Sequence, residues 1–231
     1  MAGRKTKQEK GAKPAEKLGD RAYARILECL FERRIPAGAF LSQNELVKLV
    51  RVPVAPLRDA LKLLEVEGIV TIHPRSGIQF VKPGLELTRA TYQYRAILER
   101  AAAAVYAQTA DDAELDEMER RHLSAIERLD AEGLSETVRG ELEDLETLLH
   151  HTVILSLENH LIESAYMRLH NNVRLVRINR KVTPPLARES VLEHLKVIAA
   201  FKARNPEKAG EEMQAHLTFA LQRGLGLFQR F

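Results

Sequence analysis

Apolar positions fall at helical spacing along most of this chain, and the one interruption gives the first third its character. In RVPVAPLRDALKLLEVEG, residues 51–68, Leu57, Ala60, Leu61 and Leu64 stand at i, i+3, i+4 and i+7, which predicts a helix with one buried face. Val54, Arg58 and Lys62 form another stripe of the same helix, and Gly68 ends it. Just before it, SQNELVKLV predicts a short helix capped by Ser42, with Glu45 three residues on completing a capping box. Before that, Ala22, Ile26, Leu27, Leu30 and Phe31 give residues 20–33 an inward helical face, and Pro36-Ala37-Gly38 breaks the chain. Residues 69–73 and 78–82 are β-rich runs around Pro74-Arg75-Ser76-Gly77, which reads as a hairpin. Helix, short helix, helix, hairpin is the order of a winged helix-turn-helix. Such a unit presents its last helix to the major groove of DNA and its hairpin to the flanking backbone.

Lys82-Pro83-Gly84 punctuates a boundary, after which no strand pattern occurs. Residues 87–108 read as a helix with Tyr94, Leu98, Ala101, Ala102 and Val105 on one side. A second follows a cap at Asp111 or Asp112, with Leu115, Met118, His122, Ile126 and Leu129 in period. Gly133 separates it from residues 134–157. Residues 159–182 form the next helix, ended by Pro184-Pro185; residues 186–204 follow; and Asn205-Pro206 starts the last, to about residue 228. The expected fold is therefore mostly α: an N-terminal winged helix-turn-helix over residues 19–83 and a C-terminal antiparallel all-helical bundle over 84–231.

Composition sharpens this picture. No Trp, few aromatics and abundant Ala, Leu and Glu favour helix. The single cysteine, Cys29, excludes an internal disulfide and fits a reducing cytosol, so a cytoplasmic protein is expected; on the first helix it reads as a small core hydrophobe rather than a thiol nucleophile. No apolar run is long enough to span a membrane. Residues 1–83 carry 16 Lys and Arg against 9 Asp and Glu, a balance of +7, while the remainder balances at −4. A basic head on an acidic body suits a phosphate-binding module joined to a control domain. Residues 1–18, with Arg4, Lys5, Lys7, Lys10, Lys13 and Lys17, are expected to be a flexible basic tail, either an arm on DNA phosphates or simply solvated.

Chemistry in the bundle centres on its histidines. Glu146 and His150 are four residues apart and share a helix face, His194 lies on a later helix and His216 on the last. Each histidine sits in or beside an apolar stripe. Three imidazoles and a carboxylate converging inside a bundle would suit Zn²⁺ or another transition metal. His122, His160 and His170 read instead as satisfied core or interface residues, and His151 points about 100° away from His150.

IPAGAFLSQNEL, VRVPVAPLRDALKLLEVEGIV and HPRSGIQFV resemble the DNA-binding domain of the GntR family of bacterial transcription regulators, over residues 23–82. Residues 87–221 resemble the FCD ligand-binding domain of that family's FadR-type branch, through Arg95 and Glu99 in YRAILERAAA, His150, Asn159, Glu189 and His194 in ESVLEHLKVI, and His216 in MQAHL. The resemblance implies a homodimeric, ligand-responsive regulator, most often a repressor, on a double-stranded operator. It implies that Glu146, His150, His194 and His216 hold a divalent metal, Zn²⁺ first, with Ni²⁺ or Mn²⁺ as alternatives. Relatives more often carry Asp at the position of Glu146, and the longer side chain would move the metal or require another rotamer. Relatives sense small organic or fatty acids, and a guanidinium fork matches a carboxylate, so Arg95, Arg174 and Arg177 are candidates for an acidic effector; the alternative is surface or interface arginines.

At the start of the recognition helix this chain departs from the resemblance. Where relatives usually have Ser-Arg-Thr it has Pro53-Val54-Ala55, losing a side-chain cap and an arginine on the DNA-facing stripe; Asn44 stands where relatives often carry Arg. The remaining candidates for DNA contact are Gln43, Asn44, Arg58, Lys62, His73 and Arg75, with Val54 or Ala55 packing on a thymine methyl. The expectation is altered rather than lost specificity. Two rivals are an effector-binding protein whose DNA domain no longer reads sequence and a metal-dependent enzyme. The enzyme has no further support, since the chain has no Gly-rich phosphate loop, nucleophile elbow or HExxH.

Overall fold

The computed structural model describes residues 18–178 and 182–227 and divides the chain into two compact units, Met1–Lys82 and Pro83–Phe231. The expected basic tail lies outside the described residues, apart from Leu18.

In the first unit, helices α1 (Leu18–Phe31), α2 (Gln43–Val50) and α3 (Val54–Val66) surround a core of Ile26, Leu30, Leu46, Leu57 and Leu64. All four apolar positions of the recognition-helix stripe are buried, as the period requires. Ser42 caps α2 reciprocally: its Oγ accepts from the Glu45 amide at 3.3 Å, and Glu45 Oε2 accepts from the Ser42 amide at 2.7 Å. The hairpin is β2 (Val70–His73) and β3 (Gly77–Phe80), with Ile72 opposite Ile78. A short strand not foreseen in the sequence, β1 (Phe40–Leu41), adds to the other edge of β3, giving the order β1-β3-β2. Two residues are too short a run to show a strand period. Gly77 is required where β1 crosses close to the turn: a Cβ there would lie 2.7 Å from Phe40 Cε1 and 2.8 Å from the Leu41 carbonyl.

The second unit has six helices among the described residues: α4 (Leu85–Thr109), α5 (Asp112–Glu132), α6 (Glu136–Leu155), α7 (His160–Arg177), α8 (Pro184–Lys202) and α9 (Pro206–Gly224). Asp111, Ser135, Asn159 and Asn205 cap α5, α6, α7 and α9 through their side chains. Three limits differ most from the spacing-based expectation, one being the end of α9 at Gly224 rather than near residue 228. α7 stops at Arg177, and α8 begins at Pro184, because a proline at the first helical position loses no intrahelical bond and already has helical φ. α4 packs along α9, which also packs on α8, and α4 further touches α6 and α7. The core joins Tyr92, Tyr106, Leu149, Val153, Val197, Phe201, Met213 and Leu217, and the Tyr106 and Phe201 rings meet edge to face at 5.0 Å. Gly210 lets α9 approach α4 closely, where a Cβ would come within 3.3 Å of the Arg100 carbonyl oxygen.

Candidate functional site

Within the bundle, α6, α8 and α9 turn four side chains to one point. Glu146 and His150 are one turn apart on α6, His194 comes from α8 and His216 from α9. One ligating atom from each lies within 4.8 Å of all the others. His150 Nε2 is 3.2 Å from His216 Nε2 and 3.7 Å from Glu146 Oε2; His194 Nε2 is 3.5 Å from Glu146 Oε1. Ligand atoms about 2.0–2.1 Å from a tetrahedral Zn²⁺ stand about 3.3 Å apart, so these spacings suit such an ion. His194 Nε2 is buried and has no hydrogen-bond partner among the described residues, as expected of a lone pair meant for a cation. Three neutral imidazoles and one carboxylate are a donor set for a divalent transition metal.

The imidazoles are kept neutral. Burial drives His150 and His216 down to about 4, outweighing the carboxylates beside them, and lowers His194 as well. Each Nδ1 is held from behind. His150 Nδ1 is 2.5 Å from Glu99 Oε2 on α4, and His216 Nδ1 is 2.8 Å from Glu193 Oε2 on α8. Glu99 also accepts from Arg95 Nε at 2.6 Å and from Tyr166 Oη at 3.2 Å; Glu193 is paired with Arg223 Nη1 at 2.5 Å. Burial would raise Glu99, but the Arg95 charge, with the hydrogen bonds from His150 and Arg95, brings it down to about 2. His194 Nδ1 has a different neighbour, His122 Nε2, at 3.2 Å.

Glu146 is shared. Its Oε2 accepts from Arg177 Nη2 at 2.6 Å and its Oε1 from Ser190 Oγ at 3.1 Å. Burial would raise its pKa, and the Arg177 guanidinium leads the groups that hold it well below the carboxylate range. Arg177 Nε also reaches Tyr92 Oη at 3.3 Å, and the Arg95 guanidinium lies 5.6 Å from the Tyr92 ring centroid. Arg95 is 1% exposed, so the surface alternative for it does not stand. Its Nη1 has no hydrogen-bond partner among the described residues. Arg174 is exposed on α7. Sequence reading placed the four candidate ligands but missed the groups behind them, Glu193, Arg223, Tyr166 and His122. Their only signal was polarity inside apolar stripes, clearest for His122 between Met118 and Ile126.

On the first unit, Asn44, Val54, Ala55, Arg58, Lys62, His73 and Arg75 are exposed and Gln43 is half-buried. Arg58 Nε donates to Gln43 Oε1 at 2.9 Å, linking α3 to α2. Pro53 stands at the N-cap of α3 without a side-chain hydrogen bond, and Val54 is 38% exposed. Arg75 takes φ 64° at the hairpin tip, a left-handed conformation that the turn imposes.

The FCD domain family matches residues 90–219, more than half the chain, and the family "Bacterial regulatory proteins, gntR family" matches residues 18–80. The chain belongs to the GntR family, with an FCD domain. Two relatives of this GntR chain in Bacillus subtilis (strain 168) are the uncharacterized HTH-type transcriptional regulators YdhC, 23% identical, and YcbG, 26% identical. The YdhC match covers 84% of this chain and 85% of YdhC; the YcbG match covers 87% and 88%. In fold it is similar to E. coli McbR/YncC, with a TM-score of 0.69 at 15% identity over 93% of this chain and all of that one. It is also similar to a GntR transcriptional regulator from Rhodococcus sp. RHA1, with a TM-score of 0.69 at 20% identity over 91% and 99%. The matched families and relatives are DNA-binding transcriptional regulators, so the metal-enzyme reading of this FCD protein is set aside.

Proposed function

We propose that this regulator is a homodimeric, cytoplasmic repressor that senses a small organic acid beside a Zn²⁺ ion held by Glu146, His150, His194 and His216. The observation that carries the reading is the meeting of those four groups with a buried guanidinium, Arg95, behind them: it backs His150 through Glu99, and its Nη1 has no hydrogen-bond partner among the described residues. A bound Zn²⁺ would supply a Lewis-acid anchor for one carboxylate oxygen of the effector. Arg95 and Arg177 would hold the acid's charge through bidentate donors, Tyr92 would support Arg177, and Arg174 would guide the anion inward by charge. An acid that draws Arg177 away from Glu146 favours one arrangement of α6 and α7, and only that differential affinity can shift the two DNA-binding heads.

On the operator, Arg58 would read guanine, with Gln43 fixing its approach; Asn44 would read adenine; and Val54 or Ala55 would pack on thymine methyls. Lys62, His73 and Arg75 would hold phosphates. The test is selection of genomic DNA by the purified protein, alongside Arg58→Ala and EDTA-treated samples. A palindromic motif lost in Arg58→Ala is the expected result. Salt-sensitive binding without a motif would leave only an effector-binding protein whose DNA domain no longer reads sequence.

A further inference from the structure

His122 enters no role described so far. It sits on α5, fully buried, in the apolar stripe between Met118 and Ile126. Its Nδ1 lies 2.7 Å from the Met118 carbonyl oxygen and its Nε2 lies 3.2 Å from His194 Nδ1. The two rings meet edge-on, with centroids 5.3 Å apart.

The direction of these bonds follows from one atom. A backbone carbonyl can only accept, so His122 Nδ1 carries the proton. In a neutral imidazole Nε2 is then an acceptor, and the partner it faces must donate. His194 Nδ1 is that partner, so it carries a proton too, and His194 Nε2 is left as a bare lone pair. That is the nitrogen found at the candidate metal centre without a hydrogen-bond partner among the described residues.

We propose that His122 is the positioning residue of the metal centre: by accepting from His194 Nδ1–H it fixes the His194 tautomer and ring plane so that Nε2 faces the ion. The inference rests on the metal reading above. It also separates His194 from the other two ligands. His150 and His216 are backed by carboxylates, Glu99 and Glu193, which strengthen an imidazole as a donor. His194 is backed by a neutral ring that is itself tied to the main chain of α5. It is therefore oriented as firmly as the others, with no added negative charge.

The test compares wild type, His122→Leu and His122→Gln in full-length protein, using Zn²⁺ as the probe and a chromophoric chelator as competitor. Gln can offer its Oε1 to His194 Nδ1–H; Leu cannot. Loss of an outer partner of a metal-bound histidine costs about 10–100-fold in affinity, and that loss is expected for Leu. Gln, which restores an acceptor, is expected to stay within about threefold of wild type. A purely structural role would lower the Tm of the metal-free protein in both variants without separating their Zn²⁺ affinities. A long-range ¹H–¹⁵N spectrum of histidine-labelled wild type, metal-free, is expected to show the proton on Nδ1 of both His122 and His194. Equal affinity of Leu and wild type overturns the proposal; so does a Gln variant as weak as Leu, or a proton on His194 Nε2. If wild type takes up no Zn²⁺, the metal reading fails, and the spectrum alone decides the bond between His122 and His194.

Discussion

Arg177 donates to Glu146 at 2.6 Å, so the carboxylate at the candidate metal centre is also the counter-ion of an arginine on α7. In Arg177→Gln, Glu146 loses its strongest neutralising partner in a largely buried place. The metal-free protein should lose roughly 1–3 kcal/mol of stability, the usual cost of leaving such a group unsatisfied. Zn²⁺ then replaces the missing charge, so the rise in Tm on adding Zn²⁺ should be larger in the variant than in wild type. Scanning fluorimetry with and without Zn²⁺ measures both; an unchanged or smaller rise counts against a shared Glu146.

Glu146→Gln and His216→Ala each remove a proposed ligand. Both should bind Zn²⁺ at least about 100-fold more weakly, beyond the 10–100-fold typical of an outer partner. Stripping the metal from wild type with EDTA should lower its Tm, since an ion at 100 times its Kd stabilises by about 2.7 kcal/mol. Metal analysis after gel filtration checks the first claim and thermal melts check the second. Full Zn²⁺ occupancy in both variants would remove these residues from the site.

Acid should weaken the metal-free bundle. His122, His150 and His216 are each held near 4 in the fold, mainly by burial, against about 6.5 in the unfolded chain. Between those values the unfolded chain binds more protons, so stability rises with pH across the window and is lost as pH falls from about 6.5 towards 4. Tm measured in EDTA at pH 7.5, 6 and 5 should fall stepwise. A flat profile would mean that these imidazoles bind protons alike in the fold and in the unfolded chain, and would count against their depressed pKa values.

The recognition helix lacks a side-chain cap. At Pro53 the backbone is extended, φ −61° and ψ 159°, a conformation a capping serine adopts without strain. Pro53→Ser should therefore stabilise the first unit by up to about 1 kcal/mol. Denaturant unfolding reads this directly. A loss of stability would show that the fixed φ of proline outweighs the cap.

At the DNA surface, Arg58→Ala should remove about 1–3 kcal/mol of discrimination at one operator position, whereas Lys62→Ala should weaken all sequences alike and reduce the salt slope by about 1. Gln43→Ala should fall between these, because it frees Arg58 from its 2.9 Å bond without removing the guanidinium. Competition binding at several salt concentrations separates the three. Equal loss on specific and random DNA in Arg58→Ala would assign that residue to phosphate.

What could be read in the sequence was whatever has a period or a fixed local offset. Leu57, Ala60, Leu61 and Leu64 repeat at helical spacing; Ser42 and Glu45 satisfy each other across one turn; Glu146 and His150 share a face because they are four apart. Partners that meet only through the fold left no such mark. The contacts of Glu99 with His150 and Tyr166, and of Glu193 with Arg223, join residues 30 to 67 positions apart. His122 was legible as a core residue but not as a neighbour of His194, 72 positions on. The short strand β1 was missed because its existence depends on the free edge of β3, which no local pattern announces.

The geometry around the histidines has a consequence for anyone re-engineering this regulator. Ligands come from α6, α8 and α9, their anchors from α4, α5 and α8, and the arginine tether on Glu146 from α7. No helix of the bundle can be exchanged as an independent module. Variation aimed at the proposed effector should be confined to side chains such as Arg174 that face outward, leaving the inner scaffold as a fixed chassis.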